Sequence, residues 1–199
     1  MAKNTFFITG ISTEVGKTVA SAIVTEALEA DYWKPIQAGD LEYSDTHKVK
    51  EFISNAKTVF HENAFSLKTP MSPHAAAAID GIHITSAEIK RPETINNLVI
   101  EGAGGLLVPI SETETILDLI EPDDKVIVVS RHYLGSINHT LLTIDKLKQA
   151  EKTVCGILFS GAEHSTTETV IAKMTGVPVL GRIDEEPYFD KMVVKEYAE

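Results

Sequence analysis

The stretch GISTEVGKT, Gly10 to Thr18, sets two glycines, a lysine and a threonine hydroxyl between the apolar run TFFITG and the helix-forming segment VASAIVTEALEA. Residues of these types, in this order, suit the holding of phosphate. Backbone N–H groups of a glycine-rich turn, backed by a helix N-terminus, bind an anion without side-chain charge. Gly10 allows a tight exit from a strand, and Gly16 lets the backbone approach phosphate closely. Lys17 can reach the β and γ phosphates of a nucleotide, and the Thr18 hydroxyl can ligate Mg²⁺. Two features depart from the usual loop. Five residues, Ile11 to Val15, separate the glycines instead of four, and an acid, Glu14, stands where phosphates are expected. Such a loop works if Glu14 points away or into an adjacent substrate pocket. The plain alternative is an ordinary strand–loop–helix turn with a chance GKT.

Mg²⁺ needs more oxygen ligands than one threonine. Glu101 closes the run LVIE and precedes GAGG, so a carboxylate stands at a strand end with Gly102 to Gly105 leaving room for phosphate. Asp45, in EYSDTHKV, is either a further metal ligand or the N-cap of the segment behind it. Lys34 precedes Pro35, which restricts it to extended backbone. A lysine fixed there can stabilise negative charge developing in phosphoryl or acyl transfer; taken alone, a surface lysine at a strand end is the favoured reading. No two histidines have the spacing of a zinc motif and no CxxC accompanies them, so His74 and His139 read as capping or packing residues. Cys155, inside TVCGILF, reads as a buried thiol.

The elements around these residues alternate. TFFITG (Thr5–Gly10) is a buried strand and Val19–Ala30 a helix. NNLVIEGAGG (Asn97–Gly105) is a strand entering a glycine-rich turn, LLVPI is short and extended, and TILDLIEP is a short helix ended by Pro122. KVIVVS (Lys125–Ser130) is a β-branched strand, followed by an amphipathic helix, Ser136–Glu151, with Ser136 as its N-cap. TVCGILFSG, STTETVIAKMTG and PVLGRI continue the alternation to Ile183. Continuous apolar strands between helices imply an α/β, P-loop NTPase-like fold: a mostly parallel central sheet with helices on both faces, and ligands at the carboxyl ends of its strands. The segment Ala56 to Pro92 has weaker periodicity and is expected to be irregular, and the tail YFDKMVVKEYAE to form a peripheral helix.

Composition agrees with one soluble domain spanning residues 1–199, with 43% hydrophobic and 24% charged residues. The apolar stretches fall short of the roughly 20 residues of a membrane helix, and the run in MAKNTFFITG is too short for a signal peptide. A cytoplasmic protein with no membrane partner is expected. The net charge of −11 gives no basic face for nucleic acid. It does not prevent binding of one nucleotide, where a few local lysines and a metal outweigh a diffuse field.

TEVGKT, KPIQAG, MSPH, IEGAGGLLVPI and LGSINHTLLT occur in the order found in dethiobiotin synthetases, which the chain resembles from Phe6 to Ile183. The resemblance implies ATP as co-substrate, Mg²⁺ as cofactor, and closure of a ureido ring from 7,8-diaminopelargonic acid and CO₂ or bicarbonate. The route is a carbamate, then a carbamic-phosphoric anhydride. Matched by position, Glu14, Val15, Gly16, Lys17, Thr18 and Val19 form the ATP phosphate loop, with Glu101, Gly102, Ala103 and Gly104 beside it. By the same resemblance Lys34, with Lys17, is catalytic, and both are expected to face phosphate rather than the core and to matter for turnover more than for folding. Thr18, Asp45 and Glu101 hold Mg²⁺, which favours the ligand reading of Asp45. Thr13 and Ala38 lie on the substrate. Gly135, Ser136 and Asn138 begin the helix that binds the substrate's distal carboxylate in the partner's site, so a homodimer is implied. Two positions depart from the pattern. Ala38 replaces a hydroxyl residue, with Gln37 or water expected to stand in. Ser160, followed by Gly161, replaces an asparagine that contacts adenine. The competing expectations are a related amide-forming ligase, against which the chain has no glutaminase domain, and a nucleotide-driven switch protein, against which the loop lacks an early second lysine.

Overall fold

The computed structural model describes residues 3–199; Met1 and Ala2 lie outside them. The first half of the chain forms β1 (Thr5–Gly10), α1 (Lys17–Leu28), β2 (Asp31–Trp33), β3 (Ile36–Ala38), α2 (Asp45–Phe52), β4 (Phe60–His61), β5 (Phe65–Leu67) and α3 (Pro73–Asp80). The second half forms β6 (Leu98–Gly105), β7 (Lys125–Arg131), α4 (Ser136–Gln149), β8 (Thr153–Ser160), α5 (Ser165–Thr175), β9 (Val179–Ile183) and α6 (Lys191–Ala198). Seven strands make one sheet in the order β4-β2-β6-β1-β7-β8-β9, with every neighbouring pair parallel. β3 and β5 pair separately, also in parallel.

The parallel arrangement follows from strands that are apolar on both faces. Phe7 and Ile8 on β1, and Val126, Val128 and Val129 on β7, are fully buried although adjacent side chains point to opposite faces. Helices therefore cover both sides. Strand order reverses about β1, which lies between β6 and β7, and the crevice at the carboxyl ends beside such a reversal is where ligands bind. Register brings the chemistry together there. Ile8 pairs with Glu101, and Trp33 pairs with Ile100, so Lys34, one residue beyond β2, arrives beside Glu101.

Several local expectations need correcting. The first helix starts at Lys17 rather than Val19, because the phosphate loop runs directly into it. Ser44, not Asp45, caps α2: it shares a capping box with His47, leaving Asp45 as the first helical residue with its carboxylate free for other partners. Ser136 is likewise the first residue of α4, whose N-cap is Gly135 in the left-handed conformation. LLVPI is a turn rather than extended, with a single bridge from Pro109 to Thr115. Ala56 to Pro92 holds two short strands and α3. The tail does form a helix: Asp190 caps α6 by accepting from the Met192 and Val193 N–H groups, and Val194 is buried as the helix packs on α1.

Candidate active site

The glycine loop is shaped by packing. A Cβ on Gly10 would lie 2.6 Å from the Val15 Cγ2 and 2.9 Å from the Ser12 carbonyl oxygen, so only glycine lets the loop fold back over the end of β1. Val15 is buried and anchors the turn. Glu14 is exposed in the left-handed region (φ 57), and its carbonyl accepts from Arg131 Nη1 at 3.2 Å. Gly16 is also left-handed (φ 90), and a Cβ there would come 2.9 Å from Ser160 Oγ, so Ser160 at the end of β8 packs against the loop. The first helical hydrogen bond of α1 is Ala20 N–H to the Gly16 carbonyl, leaving the N–H groups of Lys17, Thr18 and Val19 without a helical acceptor. Lys17 Nζ donates to the Ser12 carbonyl at 3.1 Å and closes the loop.

Beside the loop lies a buried polar cluster. Glu101 Oε1 accepts from the Thr18 hydroxyl and from Lys34 Nζ, each at 3.0 Å, while Oε2 accepts from the Tyr32 phenol at 2.8 Å. Lys34 Nζ also donates to Asp45 Oδ2 at 2.5 Å, and Lys48 Nζ to Asp45 Oδ1 at 3.2 Å. Gln37 accepts weakly from the Asp45 N–H (3.4 Å) and donates to the Gly39 carbonyl. It braces this loop and keeps a second amide hydrogen beyond these contacts. The residues differ in charge behaviour. Burial pulls Lys17 down to about 8, with Glu101 opposing the shift. Burial acts the same way on Lys34, but the Glu101 and Asp45 carboxylates outweigh it, and Lys34 ends above its ordinary value. Asp45, though desolvated, is held below its usual range by Lys34 and Lys48. Burial, reinforced by Glu101, pushes the Tyr32 phenol well up, so it stays a donor. Lys34 is thus a fixed cation and not a base.

Lys17 and Lys34, expected to face phosphate rather than the core, are only 7% and 4% exposed. Gly102 also serves packing before phosphate: a Cβ there would lie 3.1 Å from both Ile116 and Phe7. Thr13 is exposed and lines a cavity of about 380 Å³, bounded by the loop, by Gly105 to Pro109 and by His139, Leu142 and Lys146 of α4. His139, read as packing, is exposed at this cavity and accepts from or donates to the Tyr133 hydroxyl at 2.8 Å. Gly135, Ser136 and Asn138 do not line it. Asn138 borders a separate groove on α4 with Leu141, Asp145, Lys148 and Met174. Sequence reasoning missed Tyr32, Lys48, His139 and Lys146; only the basic type of Lys48 and Lys146 offered a signal.

A parallel sheet carrying a glycine loop, a loop lysine and a threonine–carboxylate pair at its reversal point defines a P-loop nucleotide-binding α/β protein. A family model described as an AAA domain matches residues 4–193. Among solved structures, the septum site-determining protein MinD complexed with Mg-ADP from Pyrococcus horikoshii aligns with a TM-score of 0.61 at 13% identity, covering 99% of this chain and 86% of that one. A ParA family ATPase from Chlorobium tepidum aligns at 0.56 and 13%, covering 99% of both. These likenesses concern the fold alone. Among curated proteins, the ATP-dependent dethiobiotin synthetase of Christiangramia forsetii is 68% identical over 194 residues, covering 98% of this chain and 94% of the relative. That of Cytophaga hutchinsonii is 48% identical, covering 97% and 94%. The chain belongs to the ATP-dependent dethiobiotin synthetase family.

Proposed function

We propose that this chain is an ATP-dependent ligase of biotin biosynthesis that closes the ureido ring of dethiobiotin from 7,8-diaminopelargonic acid and CO₂. The observation that carries the reading is the pair of buried ammonium groups at the phosphate loop, Lys17 and Lys34, set beside Thr18, Glu101 and Asp45 in a member of this family. One amine of the substrate adds to CO₂, losing a proton, to give a carbamate. A carbamate oxygen attacks the γ-phosphorus and ADP leaves. The second amine attacks the carbonyl carbon of the resulting anhydride, phosphate leaves, and the ring closes. Phosphorylation turns a poor leaving oxygen into a good one. Positioning and charge stabilisation carry such a reaction.

In this reading the N–H groups from Glu14 to Val19, with Lys17, hold the phosphates; Glu101 to Gly104 border them, and Ser160 lies toward the base. Lys34, kept charged by its two carboxylates, stabilises the anionic carbamate and the phosphoryl group in transfer. Thr18, Asp45 and Glu101 supply hard oxygen donors that suit Mg²⁺, which when bound neutralises phosphate charge. Among the described residues no cluster of three or more His, Cys, Asp or Glu side chains could hold a metal by itself. Phosphate oxygens and water would therefore complete the shell, as is usual for Mg²⁺ with nucleotides. Thr13 and Ala38 contact the substrate. A cytoplasmic enzyme is proposed; among the described residues no helix is long and apolar enough to cross a membrane. The test is ADP release by the purified protein with diaminopelargonic acid and bicarbonate, each omitted in turn. Release that persists undiminished without the diamine would overturn the ligase reading and favour a nucleotide switch.

The depressed Lys17 gives a pH prediction. Folded Lys17 loses its proton near pH 8, the unfolded side chain near its ordinary value of 10.5, so between them the unfolded state binds more protons and this group's contribution to stability rises with pH. Bound phosphate favours the charged form. Nucleotide affinity should be flat below about pH 8 and then fall by up to about tenfold per unit, the linkage of one proton taken up on binding. Calorimetry from pH 7 to 10 checks this, and Lys17→Arg should flatten the profile, because arginine stays charged throughout.

A shared site in a homodimer gives a second. The N-terminus of α4, at Gly135, Ser136 and Asn138, favours an anion, and in this reading it receives the substrate carboxylate in the partner's site. Asn138→Asp should raise the diamine KM by about tenfold or more through like-charge repulsion, leaving ATP binding unchanged. At diamine concentrations well below the raised KM, where Asn138→Asp subunits alone turn over at about a tenth of the wild-type rate or less and Lys34→Gln subunits far more slowly, mixing the two in equal amounts should give about a quarter of wild-type activity, since random pairing gives half mixed dimers with one intact site each. No recovery on mixing would show that each chain completes its own site.

A further inference from the structure

We propose that Tyr32 is a positioning residue for the central carboxylate of the site: its phenol fixes Glu101 through Oε2, so that Oε1 is presented to Thr18 and Lys34. The proposal rests on the reading of Thr18 and Glu101 as holders of the nucleotide's cation, and adds the group that orients them. Glu101 is 1% exposed and has little access to water. Its oxygens are used unequally. Oε1 accepts from Thr18 and Lys34, whereas among the described residues Oε2 accepts from Tyr32 alone. The terminal torsion of a glutamate is broad and nearly two-fold, so neither partner of Oε1 by itself determines where Oε2 lies. A donor on the far oxygen removes that freedom.

Tyr32 is suited to hold something still. It is fully buried, its ring tilts against Phe60 at 6.0 Å, and on β2 it pairs in register with Val99, the residue two before Glu101 on β6. Tyr32 and Lys34 are two residues apart along an extended segment and lie on one side of it. β2 and the residue that follows it thus deliver a neutral donor to one oxygen of Glu101 and a charged donor to the other. The Thr46 hydroxyl is buried beside the phenol and belongs to α2, which also carries Asp45. Groups that orient metal-binding carboxylates commonly change metal affinity or activity by 10–100-fold when removed.

The experiment is calorimetric titration of ADP, with Mg²⁺ and with EDTA, into wild type, Tyr32→Phe, Glu101→Gln and the double variant, alongside steady-state kinetics. Tyr32→Phe should reduce the affinity gained from Mg²⁺ by about tenfold, with metal-free ADP affinity held within about twofold. Its kcat should fall while the diamine KM holds. In the Glu101→Gln background, Tyr32→Phe should change nothing further. If Tyr32→Phe keeps the wild-type Mg²⁺ gain while Glu101→Gln loses it, the Tyr32 proposal fails and the cation reading stands. If wild type gains nothing from Mg²⁺, the cation reading falls and takes the proposal with it. Should Tyr32→Phe be too unstable to assay, the double variant must melt like Glu101→Gln alone; if it does not, the phenol acts through packing and the proposal is wrong.

Discussion

Lys34→Gln should lower turnover by about 10²–10³-fold, the scale of losing one preorganised charge-stabilising donor, and should destabilise the protein as well. The second effect comes from burial. Lys34 and Glu101 form an ion pair 3.0 Å apart with side chains 6% and 1% exposed, so removing the ammonium leaves a carboxylate uncompensated in the interior. Breaking a buried pair from one side costs about 3–5 kcal/mol, on the order of 10 °C in Tm for a chain of this size. Asp45 suffers less, since it is more exposed and keeps Lys48. The two effects can be separated. Lys34→Gln combined with Glu101→Gln should recover melting without recovering turnover. Near-normal kcat in a folded Lys34→Gln protein would remove the lysine from the chemistry.

Lys17→Gln should show a comparable loss, about 10²–10³-fold in kcat/KM for ATP, with the opposite sign on stability. Among the described residues Lys17 has no carboxylate in contact and one hydrogen bond, to the Ser12 carbonyl, and desolvation dominates its charge behaviour. Its folded pKa lies below the unfolded one, so at pH 7 the charged form disfavours folding. Replacing it by a neutral amide should leave Tm unchanged or raise it. A clear fall in Tm would mean that the loop needs the Lys17–Ser12 bridge to keep its shape. The comparison distinguishes two lysines that look alike in the sequence: one is the counter-ion of a buried acid, the other a buried charge without a close partner.

The fold and the loop were legible in the sequence, because runs such as KVIVVS can only be strands covered on both faces, and because GKT after an apolar run has few other uses. What the sequence hid depends on register and on competition between neighbours. Tyr32 and Glu101 are 69 positions apart, and nothing in DYWKP says that the phenol turns toward an acid; only the pairing of β2 with β6 brings them together. Ser44 and Asp45 are both good N-caps, and the choice fell to Ser44 through the His47 ring, which local sequence does not decide. At Gly135 and Ser136 the usual preference failed because the backbone turns through the left-handed region one residue earlier. Gly102 looked like room for phosphate, but its missing side chain is filled by Phe7 and Ile116, a fact of packing across elements.

The way Val15 fits into the space above Gly10 has a consequence for binding entropy. The loop is held by a buried methyl group and a closed lysine bridge, so its backbone is ordered when the chain folds and not when a ligand arrives. Ordering a residue costs about 1–2 kcal/mol. A loop that had to order on the nucleotide would subtract this from the affinity for every residue it fixed. Here that cost is met by apolar packing during folding, which charge screening does not weaken. The cradle therefore keeps its shape while screening weakens the charges around it, and what ionic strength alters is the attraction of the phosphates rather than the form of the site that receives them.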